Sequence, residues 1–263
     1  MQSIVCRSLG MTVFVLLWSG TGVAAEFTMQ AANAEYRPEV VGPFSRDAIP
    51  MDWPSTFVFE SADGTQCTAT AVGARTLLTA AHCFHGSSTG TIMLGTELAQ
   101  VSCERHKDYP TNAWADFSLC YAESTLAAPD RGFEVINVDP AVLRVQTKLV
   151  IVGFGCRTPG GADRGFGRLS EGDAVVLNID AQYVETGGGA AICTGDSGGG
   201  VFFSAGPRAP RLVVAVASHG DLSTRSFLVV TASDIFLEWA RDWCKKYGTS
   251  LCGVTSQTTP CRV

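Results

Sequence analysis

The sequence predicts an all-β protein closed by a single C-terminal α-helix, and three observations carry that reading. From Phe57 to Ala232 the apolar residues come in short runs: Phe57-Val58-Phe59, Thr76-Leu77-Leu78, Leu149-Val150-Ile151-Val152, Val175-Val176-Leu177, Val201-Phe202-Phe203 and Leu212 to Val216. Gly, Pro, Asp and Ser break these runs, which is how short strands and turns are written. No earlier stretch holds a helical period, whereas Asp234-Ile235-Phe236-Leu237-Glu238-Trp239-Ala240 runs on to Tyr247 and stops at Gly248, a residue suited to ending a helix. The length of 263 residues allows a sizeable core, and all-β barrel proteins reach this size as one unit.

Along the chain, residues 1–25 place Arg7 before the apolar stretch Met11 to Trp18 and end on Val23-Ala24-Ala25. This is the layout of a secretory signal cleaved after Ala25. A membrane anchor is the other reading, but the run falls short of the roughly 20 apolar residues that span a bilayer. The glycine-rich stretch Thr158 to Gly172 reads as a mobile loop, and Ala205-Gly206-Pro207 as a turn between strands. A polar tail, 249–263, follows the helix and carries Cys252 and Cys261, which a disulfide could tie down, with Cys244 one candidate partner and the pairing not readable from sequence.

The net charge of -6 comes without a run of Lys or Arg. Nucleic acid and anionic membrane are therefore not expected as partners. Of ten cysteines, Cys6 leaves with the signal, so an odd nine enter an oxidising compartment where disulfides form. The Cys and His spacings do not match a zinc site, and neither a metal nor another cofactor is expected.

Three separated segments supply the parts of covalent hydrolysis: a hydroxyl nucleophile, a base, a group that orients the base, and donors for an oxyanion. Thr79-Ala80-Ala81-His82-Cys83 offers the base, and a Cys67–Cys83 disulfide would close a loop beside it worth about 3 kcal/mol in the chain-entropy model. Cys193-Thr194-Gly195-Asp196-Ser197-Gly198-Gly199 offers the nucleophile Ser197, with the Gly195 and Ser197 amides as the oxyanion hole. Asp116-Phe117-Ser118-Leu119 offers the orienting acid at the head of a strand pattern. Asp108 is the competing acid, but it sits in a polar turn before Pro110. Cys103 and Cys120 flank Asp116 and could bridge, or either could be a buried thiol.

Together these segments resemble the signature regions of the chymotrypsin-like serine proteases, the trypsin superfamily, over about Val40 to Tyr247. Gly153-Phe154-Gly155 and Val216-Ala217-Ser218-His219-Gly220 extend the resemblance. It implies two six-stranded antiparallel Greek-key barrels with the active site between them, over residues 40–248. It implies an endopeptidase working through His82, Asp116 and Ser197, with polypeptides as substrates, protein inhibitors as candidate partners, and a monomeric, extracellular protein.

The family matures by cutting before an Ile-Val-Gly-Gly whose new amino group pairs with the acid preceding the serine, here Asp196. The counterpart is Val40-Val41-Gly42-Pro43, which would leave a propeptide of 26–39; Glu39 and Pro43 depart from the family pattern. The other reading starts the mature chain at Glu26, as in bacterial glutamyl endopeptidases. By the same resemblance Ala191, six residues before Ser197, lies where trypsin has the acid that selects Arg and Lys. Ser218, His219 and Gly220 fall on the substrate-binding strand. Arg225 falls near the pocket floor, where a cation would favour acidic side chains; a solvated loop position leaves an uncharged preference. The usual pocket-disulfide partner is missing, so Cys193 is matched with Cys156, and Gly200 replaces the customary proline.

Two further functions compete. A catalytically silent binding protein or inhibitor could use the same fold, yet such relatives usually lose a triad member and this chain keeps all three. An esterase would share the chemistry, but the Gly-x-Ser-x-Gly strand-to-helix setting of α/β hydrolases is absent from the nucleophile motif.

Overall fold

The computed structural model describes residues 40–162, 166–206, 209–258 and 260–262. The signal segment and the proposed propeptide lie outside the described residues. Fourteen strands and one α-helix are present among those described: β1 (Ser45–Asp47), β2 (Thr56–Ser61), β3 (Gln66–Gly73), β4 (Thr76–Thr79), β5 (Thr89–Leu94), β6 (Glu97–Arg105), β7 (Ser118–Ala122), β8 (Val135–Ile136), β9 (Lys148–Gly153), β10 (Ser170–Ile179), β11 (Tyr183–Gly187), β12 (Gly200–Ser204), β13 (Arg211–Gly220), β14 (Ser226–Val230) and α1 (Asp234–Tyr247).

These strands close two six-stranded antiparallel barrels. The first runs β2-β3-β4-β7-β6-β5 and returns to β2 through the Phe59 and Ile92 pairing. The second runs β9-β10-β11-β14-β13-β12 and closes through Val201 on Ile151. Outside the second ring, β1 pairs with β10 and β8 pairs in parallel with β13. Every apolar run predicted as a strand lies in one.

Alternation along β3 explains how the barrels meet. Cys67, Ala69 and Ala71 enter the first core, alongside Phe59, Leu77, Leu78, Ile92 and Leu119, as the two-residue period of a strand requires. The intervening Thr68 and Thr70 are fully buried too, and they face the second barrel. Thr68 Oγ1 donates to Gly195 O at 2.8 Å and accepts from Phe154 N at 3.0 Å, and Thr70 Oγ1 accepts from Gly200 N at 3.0 Å. Hydrogen bonds from Thr68 and Thr70 thus join the two barrels at this seam.

The helix α1 packs Phe236, Leu237, Ala240, Trp243 and Cys244 inward and ends on Gly248 at φ 60°, a left-handed C-cap that glycine takes without a side-chain penalty. No helix among the described residues is long and apolar enough to cross a membrane.

Four disulfides occur among the described residues. Cys67–Cys83, Cys103–Cys120 and Cys156–Cys193 pair as the sequence suggested. In the tail, whose pairing the sequence leaves open, Cys252 pairs with Cys261, and Cys244 is a free, buried thiol. The tail is held against the segment around β8, with Ile136 N donating to Cys252 O and Phe133 N to Cys261 O, which places the two tail cysteines side by side. Burial pushes the Cys244 thiol up to about 11, partly offset by a hydrogen bond with Thr255. A difference from expectation concerns 158–172, read as one loop: Ser170–Gly172 opens β10 and pairs with both β1 and β9. Its glycine serves close packing, since a Cβ on Gly172 would lie 2.4 Å from the Ala190 methyl.

Candidate active site

The first barrel contributes two of the named side chains and the second contributes the third. His82 sits in the 3₁₀ turn Ala81–Cys83 directly after β4, held by the Cys67–Cys83 bridge to β3. Asp116 caps the 3₁₀ turn Ala113–Ala115 just before β7. Ser197 lies in the turn between β11 and β12.

His82 N donates to Asp116 Oδ1 at 2.8 Å and His82 Nδ1 lies 2.7 Å from Oδ2. Ser218 Oγ donates to the same Oδ2 at 2.6 Å. Burial alone would raise the Asp116 pKa, but these hydrogen bonds and the adjacent imidazole hold it below the usual aspartate value. The competing acid, Asp108, is about half exposed and lies 3.9 Å from His106 Nδ1, on a different histidine.

Ser197 reaches the His82 side of the cleft through its backbone. Thr68 N donates to Ser197 O at 2.8 Å. A Cβ on Gly198 would stand 2.0 Å from Thr79 Oγ1 and 2.8 Å from Ala80 N, and Gly198 has φ +82°, so only glycine allows the serine turn to lie this close to the histidine turn. The Ser197 side chain is partly exposed, and among the described residues its hydroxyl has no hydrogen-bond partner. Neither the Gly195 nor the Ser197 amide donates a hydrogen bond among the described residues. Unspent donors beside a free hydroxyl are what a developing oxyanion needs.

Asp196 is fully buried. It accepts from Gly155 N and Cys193 N, each at 2.8 Å, and burial pushes its pKa up to about 7 against the lowering effect of those amides. Gly153 and Gly155 leave room for this carboxylate, since a Cβ on either would lie within 2.6 Å of its atoms. Val40 is fully buried in the second core with φ 44°, and Val41 bridges to Ala191 through Ala191 N donating to Val41 O at 2.7 Å.

Ala191 is fully buried, and the neighbouring Ile192 donates its N–H to Ser226 Oγ at 2.9 Å. Gly220 faces Ser226 across β13 and β14. Arg225 is about half exposed, and its guanidinium is paired with Glu185 of β11, so its charge is already met on the outer face. Trp114, Tyr183, His219 and Phe227 form a cluster of rings: Trp114 on Tyr183 at 4.0 Å, His219 on Trp114 at 5.4 Å and on Phe227 at 5.2 Å. Cys67, His82 and Cys83 are the one cluster of metal-type ligands among the described residues, and the disulfide occupies both thiols.

Sequence reading did not single out the Ser218 hydroxyl as an Asp116 partner, nor Ser226, Thr68, or the Trp114 stack. A Thr-Ala-Thr alternation inside an apolar strand was the available signal for Thr68 and Thr70. The others depend on partners far away in sequence.

A family model described as trypsin matches residues 43–240. Among solved structures, one of HBP superposes with a TM-score of 0.61 at 20% identity, covering 76% of this chain and 96% of that one. A structure of human heparin binding protein gives a TM-score of 0.60 at 18% identity, covering 75% and 94%. No curated protein sequence matches the chain.

Proposed function

Since the chain belongs to the trypsin family, we propose that it is a secreted serine endopeptidase that cleaves polypeptides after uncharged side chains. The observation that carries this reading is the convergence of His82, Asp116 and Ser197 beside two amides with no internal acceptor.

In the proposed reaction Ser197 Oγ attacks the scissile carbonyl carbon while His82 Nε2 takes its proton. Asp116 fixes the Nδ1–H tautomer and offsets the positive charge on the ring. The amides of Gly195 and Ser197 receive the oxyanion. His82 then protonates the leaving amine, and water repeats the sequence on the acyl-enzyme. The hydroxyl and imidazole need not be hydrogen-bonded before substrate arrives, because such contacts often tighten only in the complex.

The uncharged preference rests on Ala191 in place of a carboxylate and on Glu185 neutralising Arg225. An acidic substrate side chain would find no free cation in Arg225. Maturation follows from the same arrangement: cleavage before Val40 releases an ammonium group for the buried Asp196 carboxylate. The four disulfides fit an extracellular life. We take the protein to act as a monomer, with protein inhibitors as further partners.

One structural neighbour bears the name heparin binding protein, and a binding role is the second reading. A net charge of -6 opposes a polyanionic ligand for this chain, so the enzymatic reading stands first. Incubating the secreted protein and its Ser197→Ala variant with a peptide library diverse at P1, with N-terminal sequencing of the active form, tests both. Serine-dependent cleavage after uncharged residues is expected. Cleavage after Arg or Lys would overturn the pocket assignment, and no cleavage by a form starting at Val40 would favour the binding role.

A further inference from the structure

We propose that His219 is a positioning residue for the triad, acting on Asp116 through the Ser218 hydroxyl. The inference rests on the protease reading above and adds a second histidine to that site.

Adjacent residues of a strand point to opposite faces, so Ser218 and His219 should not meet. They do, because the β13 and β14 register shifts between Ala217 and His219, and a bulge re-aims side chains in this way. Ser218 Oγ lies 3.2 Å from His219 Nδ1. The hydroxyl has a single proton, and the 2.6 Å contact commits it to Asp116 Oδ2, a charge-assisted bond stronger than one to a neutral nitrogen. His219 Nδ1 must then carry the proton and donate. The chain of donors reads His219 Nδ1–H to Ser218 Oγ–H to Asp116 Oδ2, which also receives His82 Nδ1–H. The imidazole packs against the Trp114 and Phe227 rings, and this packing limits its reorientation.

Two effects follow. Neutral His219 holds the serine proton on Asp116 and so steadies the carboxylate that orients His82. Protonated His219 places a second cation near the charge that His82 takes up during attack, which opposes the reaction. Titratable groups on the elements packed around the ring are Asp116, His82, Tyr183, Glu185 and Arg225. Glu185 and Arg225 are paired with each other, and the charges that bear on His219 are Asp116 and His82. Burial lowers the His219 pKa from the ordinary histidine value, partly offset by Asp116.

The test compares the isolated enzyme with His219→Phe, which keeps an aromatic ring in the stack, and His219→Asn, which restores a donor near the Nδ1 position without a titrating charge. With the best library peptide, kcat of the Phe variant should fall about 3- to 10-fold, the rate equivalent of one net hydrogen bond, with little change in KM. The Asn variant should recover most of kcat. The acid limb of kcat/KM should show two protons in the parent and one in both variants. Unchanged kcat and slope in the Phe variant, or a change in KM alone, would reduce His219 to a substrate-facing wall and overturn the proposal. NMR of the full chain separates this from failure of the protease reading: the His82 Nδ1 proton should shift as His219 titrates and should not in the Phe variant, with or without turnover. Its failure to shift in the parent would also overturn the relay.

Discussion

At the scale of single residues, Asp196 and Ser218 give the clearest expectations. Asp196 titrates at about 7 in the folded chain against 3.8 as a free side chain. The folded state therefore binds more protons than the unfolded state between these values, and stability falls as pH rises from about 4 to 7. Denaturant midpoints across that window should show the loss in a form that retains residues before Val40, and Asp196→Asn should abolish it. Ser218→Ala removes one of the hydrogen bonds that keep Asp116 ionised, so kcat/KM should drop by about tenfold, read with a fixed peptide substrate. His82, Asp116 and Ser197 were legible in the sequence as a candidate triad because each sits in a short segment with its own local pattern, such as the cysteine beside His82 and the glycines around Ser197. Ser218, Ser226 and Thr68 were not, because a hydroxyl inside a strand is equally compatible with many partners until the second barrel supplies one. The sequence leaves Arg225 between a pocket and a solvated position for a related reason, since only the folded β11 strand brings Glu185 to its guanidinium.

At the scale of elements, strands announced themselves where β-branched and aromatic residues cluster, and the helix did so through its apolar period and Gly248. The start of β10 stayed hidden because its Ser-Glu-Gly sequence lacks apolar residues, while pairing to β1 and β9 on both sides makes it a strand regardless. The Cys156–Cys193 bridge ties the segment after β9 to the turn that carries Ser197, and both of its ends hold Asp196 or adjoin residues that do. Replacing both cysteines by alanine should lower stability by about 4 kcal/mol for a loop of this length, measurable by chemical denaturation. Gly198→Ala should be worse than its size suggests, costing roughly 3 kcal/mol or more, because the new methyl meets Thr79 and the backbone is left-handed. Thermal melting of the two variants ranks these effects.

At the scale of the whole molecule, two closed barrels place a histidine and an aspartate from one sheet against a serine from the other, and the shared seam of Thr68 and Thr70 keeps that meeting in register. The disulfides among the described residues are consistent with an extracellular protein. The central claim is that Ser197 is a nucleophile made reactive by this assembly. Treating the secreted protein, shown by sequencing to begin at Val40, with a fluorophosphonate and mapping the adduct by mass spectrometry tests it most directly. Covalent label on Ser197 that disappears in His82→Ala is the predicted result; a protein with that amino terminus that takes up no label at Ser197 would contradict the account.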